Sequence, residues 1–234
     1  EDEYVPTVPE LLELLRSPYH EQRDEAIALL AELVTTAFGE DGEVLGQAIR
    51  DGGGVPQLAW LLADPSPSVQ QQSLLVLGNL CSNSVDPNSA LTKRMLLQVG
   101  AERALLGCLI AEETHTLTFA CAALQNLCHE AAWSEIVMAH GAQGRLEELV
   151  RHADPMVVRY ASGALKNMQV TLKDAAPPPI SVEAEAAIRQ RSLQAELEAI
   201  AYRVAARKIT RAVRNMPPKL RLRRLLAHTD AGAA

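Results

Sequence analysis

Aromatic residues are scarce in this chain of 234 residues, which has two Trp, four Tyr and two Phe. The sequence is instead dominated by Ala and Leu, residues that favour helices over strands. With 48% hydrophobic and 22% charged residues, the chain is long enough and apolar enough to bury a sizeable core. The composition therefore predicts a globular, helical protein.

Long apolar runs are also missing. No run approaches the 18 residues expected of a transmembrane helix. The sequence begins at Glu1 and shows no positively charged leader followed by an apolar stretch. We therefore expect an intracellular, cytoplasmic protein, and an organelle stays open if a targeting segment is removed before Glu1.

Four cysteines in a chain of this length do not indicate a disulfide framework. Cys81 and Cys128 each follow a repeated asparagine by two residues, so we interpret them as packing thiols. Cys121, Cys128 and His129 lack the second pair of ligands that would complete a tetrahedral metal site. We expect neither a metal nor a cofactor.

Signatures of an enzyme are absent from the sequence. It has no nucleophile elbow, and Gly52-Gly53-Gly54 lacks the Lys and Ser or Thr that follow in a phosphate-binding loop. The histidines fall at predicted helix ends or loops, without an evident ordered partner: His20, His115, His129, His140, His152 and His228. We expect a non-enzymatic protein without a small-molecule substrate.

Charge divides the chain into two parts. Residues 1–176 hold 11 Lys and Arg against 24 Asp and Glu, whereas residues 177–234 hold 11 against 5. Within 199–229 there are nine basic residues and no acidic one. An acidic first part therefore precedes a basic arm.

A repeated pattern fills the acidic part. The motif Leu77-Gly78-Asn79-Leu80 recurs at residues 124–127 and 165–168, at spacings of 47 and 41 residues. Three glycines keep the same spacings: Gly53, Gly100 and Gly141. Periods of this size indicate a solenoid, in which each unit buries its apolar face against its neighbours.

Each unit predicts a short first helix, a glycine turn, a second helix and a longer third helix. In the second unit we expect the first helix at Glu43–Asp51 and the third from about Val69 to Ser82. Counted from the asparagine, positions −10, −6, −3, −2 and +1 of the third helix form one apolar stripe on a 3.6-residue helix.

Residues 53–58 and the Leu-x-Asn-Leu motifs resemble the armadillo repeat, although Arg103 and Gly144 replace its proline in the later units. The resemblance implies an all-α, right-handed armadillo-type solenoid. Glu32 stands at the asparagine position of the first unit, which we interpret as an N-terminal cap. The predicted parts are an armadillo domain at 1–176 (a cap repeat at 8–38 and full repeats at 43–84, 90–130 and 132–172), a Pro-rich linker at 177–180, a long helix at 181–216 and a basic tail at 217–234.

The resemblance also implies a groove lined by the third helices, where asparagines hold an extended peptide. Positions −7, −4 and 0 lie close together on a helix, away from the buried stripe. The predicted groove residues are Gln72, Leu75, Asn79, Phe119, Ala122, Asn126, Tyr160, Gly163 and Asn167. Importin-alpha-like members carry Trp at −4, which is absent here, so the resemblance does not extend to nuclear-import receptors.

Two interpretations of these residues stay open. The asparagines pair with peptide amides, and Phe119 and Tyr160 form pockets beside the small Ala122 and Gly163. Alternatively, the asparagines fasten the following loop and the two aromatic rings pack between helices.

Residues 181–216 contain neither Pro nor Gly and predict one long helix. Its first half carries a short coiled-coil-like stripe of Leu193, Leu197, Ile200 and Val204. The basic arm consists of Arg203, Arg207, Lys208, Arg211, Arg214, Lys219, Arg221, Arg223 and Arg224. This arm is typical of calmodulin, anionic-membrane or nucleic-acid binding, of insertion into a larger complex, or of packing on its own acidic repeats.

These observations together predict a protein-interaction scaffold or adaptor. Its partner is an extended peptide or a subunit of a larger assembly, docked on the groove, anchored through the basic helix, or both.

Overall fold

The computed structural model describes residues 7–174, whose regular structure is entirely helical. The helices in chain order are α1 Val8–Leu14, α2 His20–Thr36, α3 Glu40–Asp51, α4 Gly54–Leu61, α5 Pro67–Leu80, α6 Ser89–Gln98, α7 Glu102–Gly107 with a short 3-10 turn at Cys108–Ile110, α8 Thr114–Leu127, α9 Ala131–Ala139, α10 Ala142–Leu149 and α11 Pro155–Asp174. The all-α prediction is confirmed. The long helix predicted at 181–216 and the basic tail lie outside the described residues.

The long helices α2, α5, α8 and α11 pack side by side in chain order. Between them, the shorter helices follow one another along the chain as α3 and α4, α6 and α7, and α9 and α10; α3 packs on α4, α9 packs on α10, and α6 and α7 both pack on α4. The architecture is therefore a solenoid in which one third helix stacks on the next, preceded by a first unit that has only two described helices.

Glycine turns divide the first helix of each unit from the second. Gly53, Gly100 and Gly141 have φ angles of 70°, 69° and 69°, a left-handed conformation that residues with a Cβ rarely adopt. This backbone requirement explains why glycine recurs at the spacing seen in the sequence.

Two predicted helix boundaries are corrected by the structure. α3 begins at Glu40 instead of Glu43, because Gly39 precedes it and the carboxylates of its first turn favour a helix N-terminus. α5 runs from Pro67 to Leu80 rather than from Val69 to Ser82. Its start is set by Ser66, whose side chain accepts a hydrogen bond from the Val69 amide, and by Pro67 in the first turn.

The predicted apolar stripe of the third helix forms the core. In α5, all five stripe residues are buried: Val69, Ser73, Val76, Leu77 and Leu80. In α11, four of the five are buried, whereas Leu165 is only half-buried. The stack thus has a continuous interior that is less well covered at its last described helix.

Two buried ion pairs connect the first units. Arg23 Nε lies 3.1 Å from Asp64 Oδ2, and Arg50 pairs with Asp86 and also donates to Thr92 Oγ1 at 3.0 Å. All four charged side chains are at most 5% exposed. Within residues 7–174, no helix is long and apolar enough to cross a membrane.

Candidate partner-binding groove

Positions −7, −4 and 0 of α5, α8 and α11 form what we call the ladder face: Gln72, Leu75, Asn79, Phe119, Ala122, Asn126, Tyr160, Gly163 and Asn167. All nine residues are half-buried, as expected for side chains between a packed interior and solvent. The third helices that carry them are neighbours in the stack. The structure thus brings the predicted groove residues onto adjacent helices, and their role in binding stays a prediction.

Two ladder asparagines join consecutive third helices. Asn126 Nδ2 donates to the carbonyl oxygen of Gly78 at 2.9 Å, and Asn167 Nδ2 donates to that of Gln125 at 2.8 Å. Gly78 and Gln125 occupy the same repeat position, one residue before the asparagine of their own helix. The amides therefore fasten neighbouring third helices and not, as one interpretation held, the following loop.

Asn79 does not continue this ladder towards α2. Its Nδ2 donates to the carbonyl oxygen of Leu75 in its own helix at 2.9 Å. The equivalent carbonyl on α2 belongs to Ala31 and accepts a hydrogen bond from Thr35 Oγ1 at 2.9 Å. The connection between α2 and α5 thus depends on other contacts.

The carboxamides of Asn126 and Asn167 keep polar atoms for a ligand. Among the described residues, Oδ1 of each accepts no hydrogen bond, while Nδ2 is used as above. A side-chain amide can accept from a peptide N–H and donate to a peptide carbonyl. Asn126 can therefore both accept from and donate to an extended backbone without breaking its bond to Gly78. Asn167 uses both Nδ2 hydrogens, for Gln125 and His129, and can serve such a backbone as an acceptor through Oδ1.

The predicted pocket beside Gly163 is filled by the chain itself. A Cβ atom on Gly163 would overlap the side chain of Gln125, which lies over this glycine. Gly163 thus admits a neighbouring side chain instead of leaving a cavity. Gln125 therefore lies beside the ladder face in the structure, although its position was not among the predicted groove positions.

Phe119, Tyr160 and Leu75 supply the apolar part of the ladder face. Each packs against the buried core and keeps part of its surface accessible. The Arg159 guanidinium lies 5.7 Å from the centroid of the Tyr160 ring, a cation–π distance. The two aromatic rings therefore pack against the core and keep some accessible surface, and the pocket interpretation stays a prediction.

Charge is unevenly placed along the third helices. On α2, the equivalent positions are Glu25, Ala28 and Glu32, all exposed. Neither glutamate forms an ion pair with a residue in the described range. The first unit therefore presents an acidic surface in line with the amide and apolar surface of the ladder face.

His129 borders the ladder face and was not predicted to have a partner. Asn167 Nδ2 lies 3.2 Å from its Nε2, so the amide donates to the unprotonated ring. Burial, together with the nearby charge of Lys93, lowers the pKa of His129, and Glu130 opposes this shift. His140 and His152 also have backbone partners, at 2.9 and 3.0 Å.

The four cysteines are buried, including Cys81 and Cys128, which we interpreted as packing thiols. Burial raises the pKa of Cys81, Cys108, Cys121 and Cys128 to about 12 in each case. Thiols with such pKa values are protonated at neutral pH and are poor nucleophiles.

Comparison with known proteins identifies the repeat. Residues 47–82 match the description Armadillo/beta-catenin-like repeat. The chain contains an armadillo repeat and has the armadillo fold. The matched residues include α4 and α5 and therefore the first asparagine of the ladder.

Solved structures of engineered proteins share this fold. Two engineered proteins from a structural genomics consortium are 25% and 26% identical, with TM-scores of 0.62 and 0.61, and cover 70% and 69% of this chain. The chain spans 63% of the length of each, which is less than two thirds.

A designed armadillo repeat protein in complex with the peptide (KR)4 is 21% identical, with a TM-score of 0.60. The match covers 82% of this chain and 81% of the designed protein. A search of curated proteins found no match.

Proposed function

We propose that this armadillo stack is a non-enzymatic scaffold or adaptor that binds an extended segment of a partner protein along the ladder face. The observation that carries the proposal is the pair Asn126 and Asn167, whose bonds to the preceding helix hold both amides in one orientation while Oδ1 stays available. Fixed polar groups at a regular spacing suit a backbone better than they suit a compact ligand.

The spacing of the stack matches an extended chain. Packed helices lie about 8–10 Å apart, and an extended peptide advances about 3.3 Å per residue. Each third helix therefore corresponds to about two or three peptide residues. Peptide side chains on one side would meet Leu75, Phe119 and Tyr160, while the backbone meets the amides.

The partner segment is proposed to be basic near α2. Glu25 and Glu32 are exposed there without a basic partner in the described range, and residues 1–176 carry a large excess of acidic side chains. Basic side chains in the ligand would satisfy these carboxylates. The designed armadillo protein bound to (KR)4 supports a basic ligand class by analogy.

A labelled (KR)4 peptide tests this proposal by fluorescence polarisation on the full chain. Replacing both groove glutamates, Glu25→Gln with Glu32→Gln, is expected to weaken binding at least tenfold at low salt. The matched control, Glu40→Gln with Asp41→Asn, removes the same charge from the exposed start of α3 and is expected to weaken binding far less. Equal effects of the two pairs would show non-specific attraction and would contradict the proposal.

A second candidate function is anchoring of the scaffold in a larger complex through the basic arm. It is supported by the absence of acidic residues within 199–229. Charge reversal of Arg207, Lys208 and Arg211 in the full chain is expected to remove co-purifying subunits. Retention of the same partners would contradict this candidate function. Binding of the arm to calmodulin, anionic vesicles or nucleic acid would instead identify that molecule as the partner of the arm.

A further inference from the structure

The outer face of α11 is more exposed than the equivalent faces of α5 and α8. At the position two residues before the asparagine, Leu77 is 1% exposed and Leu124 is 0% exposed, because the next unit packs over them. The equivalent Leu165 is only half-buried. The last described unit thus presents a stacking surface to which no helix among residues 7–174 is added.

The second helix of the last unit shows the same difference. Nine residues after the turn glycine, Leu62 and Leu109 are 2% and 1% exposed, whereas Val150 is half-buried. A cleft of about 520 Å³ lies between α10 and α11. Its apolar lining is Val150, Leu165, Met168 and Leu172, and Gln143, Glu147 and Lys166 lie at its polar border. We call this surface the end cleft.

Two other positions on this face have changed from apolar to polar. Ser162 stands at the position that Leu74 and Cys121 occupy in the earlier units, and Gln169 stands at the position of Cys81 and Cys128. The earlier residues are buried, whereas Ser162 and Gln169 are exposed and line the end cleft. The outer face of α11 therefore carries both apolar and polar residues. Such a face suits contact with a single amphipathic helix better than contact with another complete repeat.

We propose that the end cleft is covered by residues 193–204 of the same chain, a contact separate from the ladder face and from the proposed peptide. The chain leaves α11 at Asp174, beside the cleft. Residues 175–180 reach about 20 Å when extended, and residues 181–192 of the predicted helix would add about 18 Å, so the segment can return to the cleft. Because the segment is tethered, its effective concentration at the cleft is about millimolar.

The dimensions and chemistry of this segment agree with the cleft. The predicted stripe from Leu193 to Val204 would extend about 17 Å as a helix, and Leu165 and Leu172 lie about 10 Å apart along α11. One row of apolar residues would thus cover both leucines. The basic residues that follow Val204 would then continue beyond the cleft, free to contact a partner.

Photo-crosslinking in the full chain tests the proposal. Gln169 is replaced by p-benzoylphenylalanine, and crosslinked peptides are identified from an equal mixture of unlabelled and ¹⁵N-labelled chains. The expected product joins residue 169 to the segment 193–204 within one chain. Crosslinks of mixed isotope composition would show that a second copy fills the cleft, and the absence of crosslinks to this segment would show that it does not; both results overturn the proposal.

A pair of matched variants makes the result specific. Leu197→Asp with Ile200→Asp places charges on the stripe and is expected to reduce the crosslink at least fivefold. Ala195→Asp with Ala199→Asp places the same charges on the opposite side of the predicted helix and should leave it nearly unchanged. Equal loss in both variants would overturn the proposal. Binding of (KR)4 is measured on the same samples, so that a failure of the groove is recognised separately.

Discussion

The two halves of the stack are joined by different chemistry. In the first half, Arg23–Asp64 and Arg50–Asp86 connect units through buried charges. In the second half, neutral hydrogen bonds dominate beside the longer Lys93–Glu130 ion pair of 3.8 Å. Asn126 and Asn167 donate to the preceding third helix, and Trp133 Nε1 donates to the carbonyl oxygen of Lys93 at 3.3 Å. One repeat geometry is therefore compatible with two kinds of connection.

The difference predicts unequal sensitivity to mutation. Removing one member of a buried ion pair leaves a charge without its partner in a poorly solvated site, at a high energetic cost. Removing one neutral hydrogen bond costs much less, because each contributes about 1 kcal/mol. The first half should thus depend on a few residues, whereas the second half should depend on many small contributions.

The largest effect is expected for Arg23→Ala, which leaves Asp64 buried and unpaired. We expect a loss of about 3–5 kcal/mol in the free energy of unfolding, measured by urea denaturation. The double variant Arg23→Met with Asp64→Asn removes both charges and keeps an acceptor for the Ser66 amide. It should be clearly more stable than Arg23→Ala; the opposite order would refute the argument from an unpaired charge.

A second comparison uses glycine within helices of the two halves. A Cβ on Gly42 in α3 would overlap the backbone carbonyl of Val85, whereas a Cβ on Gly144 in α10 meets nothing within 4 Å. Gly42→Ala is therefore expected to destabilise the fold by about 1–3 kcal/mol. Gly144→Ala should stabilise it by about 0.5–1 kcal/mol, because alanine is the better helix former. Thermal denaturation of both variants measures this difference, and a Gly144→Ala variant less stable than the parent chain would contradict the prediction.

The asparagine ladder gives a smaller effect with an internal control. Asn126→Ala removes a bond between helices and should lower the free energy of unfolding by about 1 kcal/mol. Asn79→Ala removes only a bond within α5 and should cost less. Urea denaturation distinguishes the two, and equal losses would show that the bond to Gly78 does not connect the units.

The smallest effect concerns pH. The pKa of His129 is lower in the folded chain than its usual value of 6.5, so the unfolded chain takes up the proton first. Stability should therefore fall as the pH decreases below about 6.5, where protonation also removes the acceptor for Asn167. Melting temperatures are compared at pH 7.5 and 5.5, and the decrease should be smaller for His129→Gln than for the parent chain. An identical loss in both chains would exclude His129 as a cause.

Much of the fold could be predicted because it depends on local pattern. Gly53, Gly100 and Gly141 recur because their φ angles are positive, and Pro67 begins a helix because its missing N–H needs no partner there. The candidate site was predicted less completely. The helix positions were identified, but Gln125 and His129 were not, since each acts on α11 from the neighbouring unit.

The sequence by itself determined the repeat period, the glycine turns and the apolar face of each third helix, since these follow from backbone conformation and from the 3.6-residue turn. Only the tertiary structure decided which groups pair across units. Arg23 and Asp64 are 41 residues apart, and Asn126 and Gly78 are 48 apart. Over such separations, the distance between two atoms depends on how whole helices pack, and local pattern does not specify it.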